Sequence, residues 1–151
     1  MSSEKTIPPA ALVLGVGGLV PFLVCAGGLM AGLTLPVVGG GERLTQALIV
    51  YGVAILSFLG GVRWGIALGY EEGGKARRDY VVAVVPALVG WGAALLAPAA
   101  GLWTLCVAFA LLGLMDYGLY CREVAPEWYG RLRLGLSAAV SVLLGVAAAS
   151  A

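Results

Sequence analysis

Two charged side chains, Arg63 and Asp116, lie within otherwise apolar stretches of this sequence. A charge at the centre of a membrane-spanning helix costs about 2.5–3.5 kcal/mol on insertion scales, so such residues usually face one another or a water-filled cavity. Arg63 precedes Tyr70, where its stretch ends, by seven residues, and Asp116 precedes Tyr120 by four. At 1.5 Å per helical residue, both charges lie about 6–10 Å inside the same membrane face.

These depths are similar enough for Arg63 and Asp116 to form an ion pair that lines a cavity open to the cytoplasm. The alternative is that each side chain extends separately to the headgroups, which residues at this depth can do. The sequence leaves both interpretations open.

Other reactive patterns are missing. The chain has no histidine, and its three cysteines (Cys25, Cys106 and Cys121) form no C-x-x-C pair. Gly15-x-Gly17-Gly18 lacks the third glycine of a dinucleotide site, and no nucleophile-elbow or Walker motif is present. We therefore expect no catalytic residues, no metal ligands and no cofactor. A net charge of +1 gives no electrostatic basis for nucleic-acid binding.

The elements that carry these residues are apolar stretches of bilayer length. Of 151 residues, 61% are hydrophobic and 11% are charged, against about 45–50% and about 25% in soluble domains. About 20 apolar residues span a bilayer as a helix. The predicted helices cover residues 10–35, 45–70, 80–96, 101–120 and 132–151. The sequence thus predicts an all-α polytopic membrane bundle of about five transmembrane helices, in one integral membrane domain.

Local features refine this prediction. The first stretch is longer than the roughly 7–15 residues of a signal-peptide core, so we expect a retained first helix, with Pro21 as a possible kink. Residues 97–101 form a short uncharged link, which predicts that the third and fourth helices are antiparallel neighbours.

Basic residues are distributed unevenly between the two predicted membrane faces. Five crossings place Arg43 alone on one side. The other side receives Lys5, Lys75, Arg77, Arg78, Arg122, Arg131 and Arg133. Short cytoplasmic loops are enriched in Lys and Arg, so we predict a cytoplasmic N-terminus and an external C-terminus.

Small residues recur every four positions on several helices and predict close helix packing of the GxxxG kind. On the second helix they are Ser57, Gly61, Gly65 and Gly69. Shorter versions are Gly28 and Gly32 on the first helix and Ser137, Ser141 and Gly145 on the fifth. Arg63 points away from the second-helix stripe. Packing within one chain is the simpler interpretation, and a homo-oligomer or a larger membrane complex is the alternative.

Aromatic and basic residues precede the fifth helix. Trp128, Tyr129, Arg131 and Arg133 are of the types that hold a helix end at the headgroup level. We predict that they are interface anchors.

Four features of the sequence carry a family resemblance: the run Tyr51–Gly65, the segment Gly18–Phe22, Asp116 near the end of the fourth helix, and the segment from Trp128 to Arg133. Together they resemble an uncharacterised family of bacterial and mitochondrial multi-pass membrane proteins that includes transmembrane protein 69. It covers most of the chain. It implies a multi-pass inner-membrane protein, bacterial or mitochondrial, and supplies no reaction.

Two classes of function remain. One is a non-enzymatic structural, assembly or accessory subunit of a membrane complex, favoured by the small size, the small-residue stripes and the missing catalytic motifs. The other is a small carrier or binding protein for a lipid, quinone or ion that uses Arg63, Asp116 and Tyr120. A cavity that reaches the two charged residues would favour the second class. An intramembrane enzyme is disfavoured because no nucleophile and base are clustered.

Overall fold

The computed structural model describes residues 6–69 and 74–151, without side chains at 74–76. Within these residues the chain forms helices joined by short links, with no β-strand. They are α1 (Pro9–Gly17), α2 (Val20–Met30), α3 (Gly41–Ala67), α4 (Gly74–Ala94), α5 (Pro98–Cys121) and α6 (Glu127–Ser150). The predicted all-helical membrane bundle is therefore confirmed.

Four of the described helical spans are long and apolar enough to cross a membrane. They are Pro9–Met30, which joins α1 and α2, together with α3, α5 and α6. Helix α4 differs because its first turns include Arg77, Arg78 and Asp79, and only the part from Tyr80 onward is apolar. This part corresponds to the predicted third span, whose helix begins earlier than Tyr80.

The N-terminal span is broken between α1 and α2. The break at Gly18 and Leu19 comes just before Pro21, which lacks the N–H that would bond the preceding turn. The Tyr51 hydroxyl donates a hydrogen bond to the Gly18 carbonyl at 3.1 Å and so satisfies an oxygen at the break. The span ends at Met30, earlier than predicted, because Gly32 adopts the left-handed conformation (φ +62°) and the Leu33 N–H donates back to the Gly28 carbonyl. Leu35 and Gly39 then pair their backbones in a tight loop.

From α2 onward each helix runs antiparallel to the next one, because the end of one helix contacts the beginning of its successor. Between α3 and α4, Gly60 contacts Ala83, and between α4 and α5, Gly101 contacts Ala93. The link from α4 to α5 is only Leu95–Ala97. Helices α5 and α6 form the most extensive interface, followed by α3 and α4.

The bundle core is apolar and lies beside the charged residues. Phe22 of α2 is buried between Tyr51 and Phe109, with ring centroids 4.9 and 5.9 Å away. Leu56, Leu105, Phe109, Leu144 and Ala147 continue this core across α3, α5 and α6.

Helix α6 begins at Glu127, five residues before the predicted start at 132. Pro126 precedes the helix with an extended backbone, and the Glu127 carboxylate lies at the positive end of the helix dipole. The predicted anchor segment is therefore helical. Of the other predicted features, Lys5, Tyr70 and the side chain of Lys75 lie outside the described residues.

Candidate functional site

A buried cluster joins three helices through two arginines and one aspartate. The Arg63 Nη1 atom of α3 donates to Asp116 Oδ1 of α5 at 2.7 Å, and Arg133 Nε of α6 donates to Asp116 Oδ2 at 2.9 Å. Arg133 Nη2 also donates to Ser137 Oγ at 3.3 Å. All three charged residues are buried: Arg63 is 4% exposed, Asp116 is 0% exposed and Arg133 is 8% exposed. The structure thus pairs Arg63 with Asp116 and does not extend them separately to the headgroups.

Local sequence explains how α6 brings Arg133 to this position. Gly113 of α5 lies against Ser137, and a Cβ atom added at Gly113 would lie 2.5 Å from the Ser137 Cβ. Gly130 in turn lies against Tyr120, where an added Cβ would be 2.8 Å from the tyrosine Cβ. These two glycines allow the backbones of α5 and α6 to approach closely. Arg133 lies between these two contacts on the same face of α6.

The cluster contains more positive than negative charge. Two guanidinium groups share a single carboxylate, and each carboxylate oxygen accepts from one arginine. A buried ion pair offsets the loss of hydration only when its charges and hydrogen bonds are matched. One positive charge therefore has no anion among the described cluster residues, which makes the site attractive for a negatively charged or electron-rich group.

Two cavities meet the cluster from different sides. We call the first the α4–α5 crevice. Its apolar part, about 590 Å³, lies between α4 and α5. Its polar part, about 400 Å³, is lined by Arg63, Arg78, Asp79 and Arg122. The two parts share Val82 and Met115 and are therefore adjacent.

The second cavity, the α1–α6 groove, lies among α1, α2, α3 and α6 and measures about 380 Å³. It is mostly apolar, and Arg133 and Ser137 line it. Tyr129 also lines it, and the Tyr129 hydroxyl is buried without a hydrogen-bond partner among the described residues. Tyr120, which we grouped with Arg63 and Asp116, does not line either cavity, and its ring contacts Tyr117 and Gly130.

Arg133 differs from its prediction as an interface anchor, because it is buried and bonded to Asp116. Arg131 lies on the opposite face of α6, where it pairs with Glu127 at 2.9 Å. Two residues apart on a helix are separated by about 200°, so one arginine faces solvent or lipid while the other faces α5. Trp128 and Tyr129 are half-buried in the first turn of α6. The anchoring role of Trp128, Tyr129 and Arg131 stays a prediction.

The predicted stripe of Ser57, Gly61, Gly65 and Gly69 begins on α3, and its two central glycines are not covered by the described part of the chain. Gly61 and Gly65 are exposed, and an added Cβ at either would meet nothing within 4 Å among the described residues. Gly69 follows the end of α3 and approaches only its own helix, and Ser57 is half-buried. The neighbouring row on α3 packs instead, with Gly52 against Leu105 and Gly60 against Ala83.

The remaining small residues divide between packing and turns. Gly28 is buried, and an added Cβ would lie 3.3 Å from Leu44. Gly32 is not a packing residue, because it lies in the turn after α2 with φ +62°. On α6, Ser141 donates to the Cys106 carbonyl at 3.1 Å, and Gly145 lies against Trp103 and Cys106 of α5.

The described residues contain no metal-binding group of three or more histidine, cysteine, aspartate or glutamate side chains. Cys25, Cys106 and Cys121 are unpaired thiols. The chemistry that this site offers is therefore electrostatic and hydrogen-bonding recognition by arginine, tyrosine and serine.

These features define a polytopic α-helical membrane protein with a buried arginine–aspartate cluster. The chain belongs to the DUF3429 family, described as proteins of unknown function, which it matches over residues 7–149. It is 36% identical to transmembrane protein 69 of Xenopus tropicalis over 146 residues, which cover 93% of this chain and 54% of that protein. It is 30% identical to transmembrane protein 69 of Mus musculus over 133 residues, or 84% of this chain and 50% of that protein.

The chain thus spans about half the length of these two relatives. No solved structure matches it significantly. Membership of this family confirms the resemblance seen in the sequence and agrees with a membrane protein of several crossings.

Proposed function

We propose that this protein is a non-enzymatic, membrane-embedded binding protein for an amphipathic ligand such as a lipid or a quinone. The observation that supports this function is the buried cluster, in which Arg63 and Arg133 share Asp116 and each borders a different cavity. Apolar cavity walls beside a few polar groups are the usual composition of a small-molecule site. We place the protein in a bacterial or mitochondrial inner membrane, with the N-terminus in the cytoplasm or matrix.

Binding is favoured over transport. A carrier needs two conformations that open to opposite sides, and transporters usually build them from inverted repeats. This chain has no internal repeat, and its apolar core closes the bundle beside the cluster. The guanidinium groups of Arg63 and Arg133 supply positive charge and several hydrogen-bond donors, which suit the recognition of a polar headgroup.

The test is retention of the ligand after mild extraction. Purified full-length protein is expected to carry close to one amphipathic molecule per chain, identified by mass spectrometry of the extracted lipids and quinones. Arg63→Gln and Arg133→Gln each leave the other arginine bonded to Asp116, so the fold is expected to survive. We expect at least one of them to weaken the affinity for the retained molecule about tenfold, as for the loss of one charged hydrogen bond, and so to lower the occupancy measurably below that of the wild type.

The matched control is Arg131→Gln, which removes the same charge from an arginine side chain that is 71% exposed. It is expected to leave occupancy unchanged. If the wild type retains no such molecule, or if both cluster variants retain it as the wild type does, the proposed function is wrong.

A second candidate is an accessory or assembly subunit of a larger membrane complex. It is favoured by the outer face of α3, where Gly61 and Gly65 are exposed and contact no other described helix. Such a face admits the backbone of a helix from another chain, which binds by close van der Waals packing.

For this candidate, Gly61→Leu with Gly65→Leu is expected to release a partner that co-purifies with the wild type in mild detergent. The control is Gly27→Leu, on an exposed face of α2 where an added Cβ also meets nothing within 4 Å. Cross-linking followed by gel filtration measures the assembly. A wild-type protein that migrates only as a monomer would exclude this candidate.

A further inference from the structure

The α4–α5 crevice has the dimensions of a single acyl chain. Next to the short link, Gly101 holds α5 against Ala93 of α4, and beyond this contact the crevice opens between the two helices. On α5 its apolar lining extends from Trp103 to Met115, about 18 Å of helix. The hydrocarbon of one bilayer leaflet is about 15 Å deep, half of a core of about 30 Å.

The polar end of the crevice is cationic. Among the described residues, Arg63, Arg78 and Arg122 line it together with one carboxylate, that of Asp79. Basic pockets between transmembrane helices on the cytoplasmic or matrix side attract the headgroups of anionic lipids. This end also lies on the face to which the basic residues of the loops assign the cytoplasm.

Arg63 retains donors for a ligand at this end. A guanidinium has five N–H donors, and among the described residues Arg63 uses its Nη1 atom alone, toward Asp116. Arg133, on the side of the α1–α6 groove, already donates through Nε to Asp116 and through Nη2 to Ser137. The uncompensated charge of the cluster is therefore more available in the crevice than in the groove.

We propose that the α4–α5 crevice binds a membrane phospholipid with an anionic headgroup, its phosphate at Arg63, Arg78 and Arg122 and one acyl chain along α4 and α5. This inference rests on the proposed binding function and specifies its ligand class and its cavity. Arg78 and Arg122 position the headgroup from the rim, and the buried Arg63 is the innermost contact of the phosphate. The second acyl chain remains in the surrounding bilayer.

The test measures lipid binding to the full-length, delipidated protein by native mass spectrometry, with phosphatidylglycerol and phosphatidylcholine as probes. The wild type is expected to bind phosphatidylglycerol more tightly than phosphatidylcholine. The double variant Arg78→Gln with Arg122→Gln is expected to weaken the binding of phosphatidylglycerol about thirtyfold. This factor corresponds to the attraction that two basic residues exert on an anionic headgroup. The control, Arg77→Gln with Arg131→Gln, removes the same charge from exposed arginines outside the crevice and is expected to bind normally.

A second pair of variants locates the acyl chain. Ala108→Phe places a phenyl ring in the apolar part of the crevice, and Ala11→Phe places one in the α1–α6 groove. The two variants add the same side-chain volume. Only Ala108→Phe is expected to lower lipid binding. Inorganic phosphate, tested alone, is expected not to displace the lipid, because it lacks the chain.

The outcomes separate this inference from the proposed function. If Ala11→Phe lowers binding and Ala108→Phe does not, the lipid lies in the groove: the inference is wrong and the proposed function stands. Equal binding of the two lipids, or displacement by phosphate, overturns the choice of an anionic phospholipid. If the wild type binds neither probe and carries no amphipathic molecule on extraction, the proposed function is also wrong.

Discussion

Replacing Asp116 with asparagine is expected to lower the free energy of unfolding by about 3–5 kcal/mol, the usual cost of removing one partner from a buried ion pair. Asp116 is fully buried and is the anion for both Arg63 and Arg133. Asparagine has nearly the same shape, so packing is maintained while two guanidinium groups lose their carboxylate. Reversible unfolding in detergent micelles, followed by circular dichroism, measures the change.

The control for this prediction is Glu127→Gln, which breaks the ion pair between Glu127 and the exposed Arg131. A pair of this kind contributes about 0.3–0.5 kcal/mol, and the carboxylate in the first helical turn adds a similar amount. Glu127→Gln is therefore expected to cost about 1 kcal/mol in total, well below the effect of Asp116→Asn. Arg133→Gln is expected to lower the free energy of unfolding by an amount between those of Glu127→Gln and Asp116→Asn, because Asp116 keeps its bond to Arg63. If Asp116→Asn unfolds at the same denaturant concentration as the wild type, the cluster does not hold the three helices together.

The pairing of Arg63 and Asp116 is within reach of sequence reasoning, because both residues interrupt apolar stretches at comparable depth. Helix length and the rise per residue are enough to place them near the same membrane face. Sequence alone could not decide between pairing and separate extension to the headgroups. That choice depends on the rotation of α3 and α5 about their own axes, which long-range packing determines.

The role of Arg133 was missed because its neighbours have the composition of a headgroup anchor. Trp128, Tyr129 and Arg131 come directly before it in the sequence, and a helix that starts at residue 132 leaves these three in a loop and Arg133 in the first turn, at the predicted headgroup level. A periodic signal was nevertheless present. Gly130, Arg133 and Ser137 recur at helical spacing on one face, and this row continues into the buried residues Val140 and Leu144.

The glycines of α3 also show what the sequence alone does not determine, which is the row of small residues that packs against another helix. Gly60 and Gly61 are adjacent, and each belongs to a row of small residues with four-residue spacing or its multiples. The longer and more regular row runs from Ser57 to Gly69, and its central residues Gly61 and Gly65 are the ones that the described residues leave uncovered. A small-residue row predicts that a backbone can approach, but it does not identify the helix that does so.

Gly60 and Gly61 differ in what a larger side chain would meet, and leucine placed at each position tests this difference. Gly60→Leu is expected to destabilise the protein by about 3 kcal/mol, at the upper end of the cost of overpacking. A Cβ atom at Gly60 would overlap the carbonyl oxygen of Ala83 and approach Pro86 at 3.6 Å. Because the obstacle is backbone, α3 and α4 must move apart. Thermal unfolding in detergent, with a reporter of the α3–α4 distance, measures both effects.

Gly61→Leu provides the matched control, since it introduces the same side chain one residue later, where an added Cβ meets nothing within 4 Å. Its stability is expected to stay within about 0.5 kcal/mol of the wild type, as for most changes at exposed positions. Equal destabilisation at the two positions would mean that both rows of α3 are covered in the folded protein. Gly61 would then contact another chain, and gel filtration would show the wild type as an assembly and the Gly61→Leu variant as a monomer.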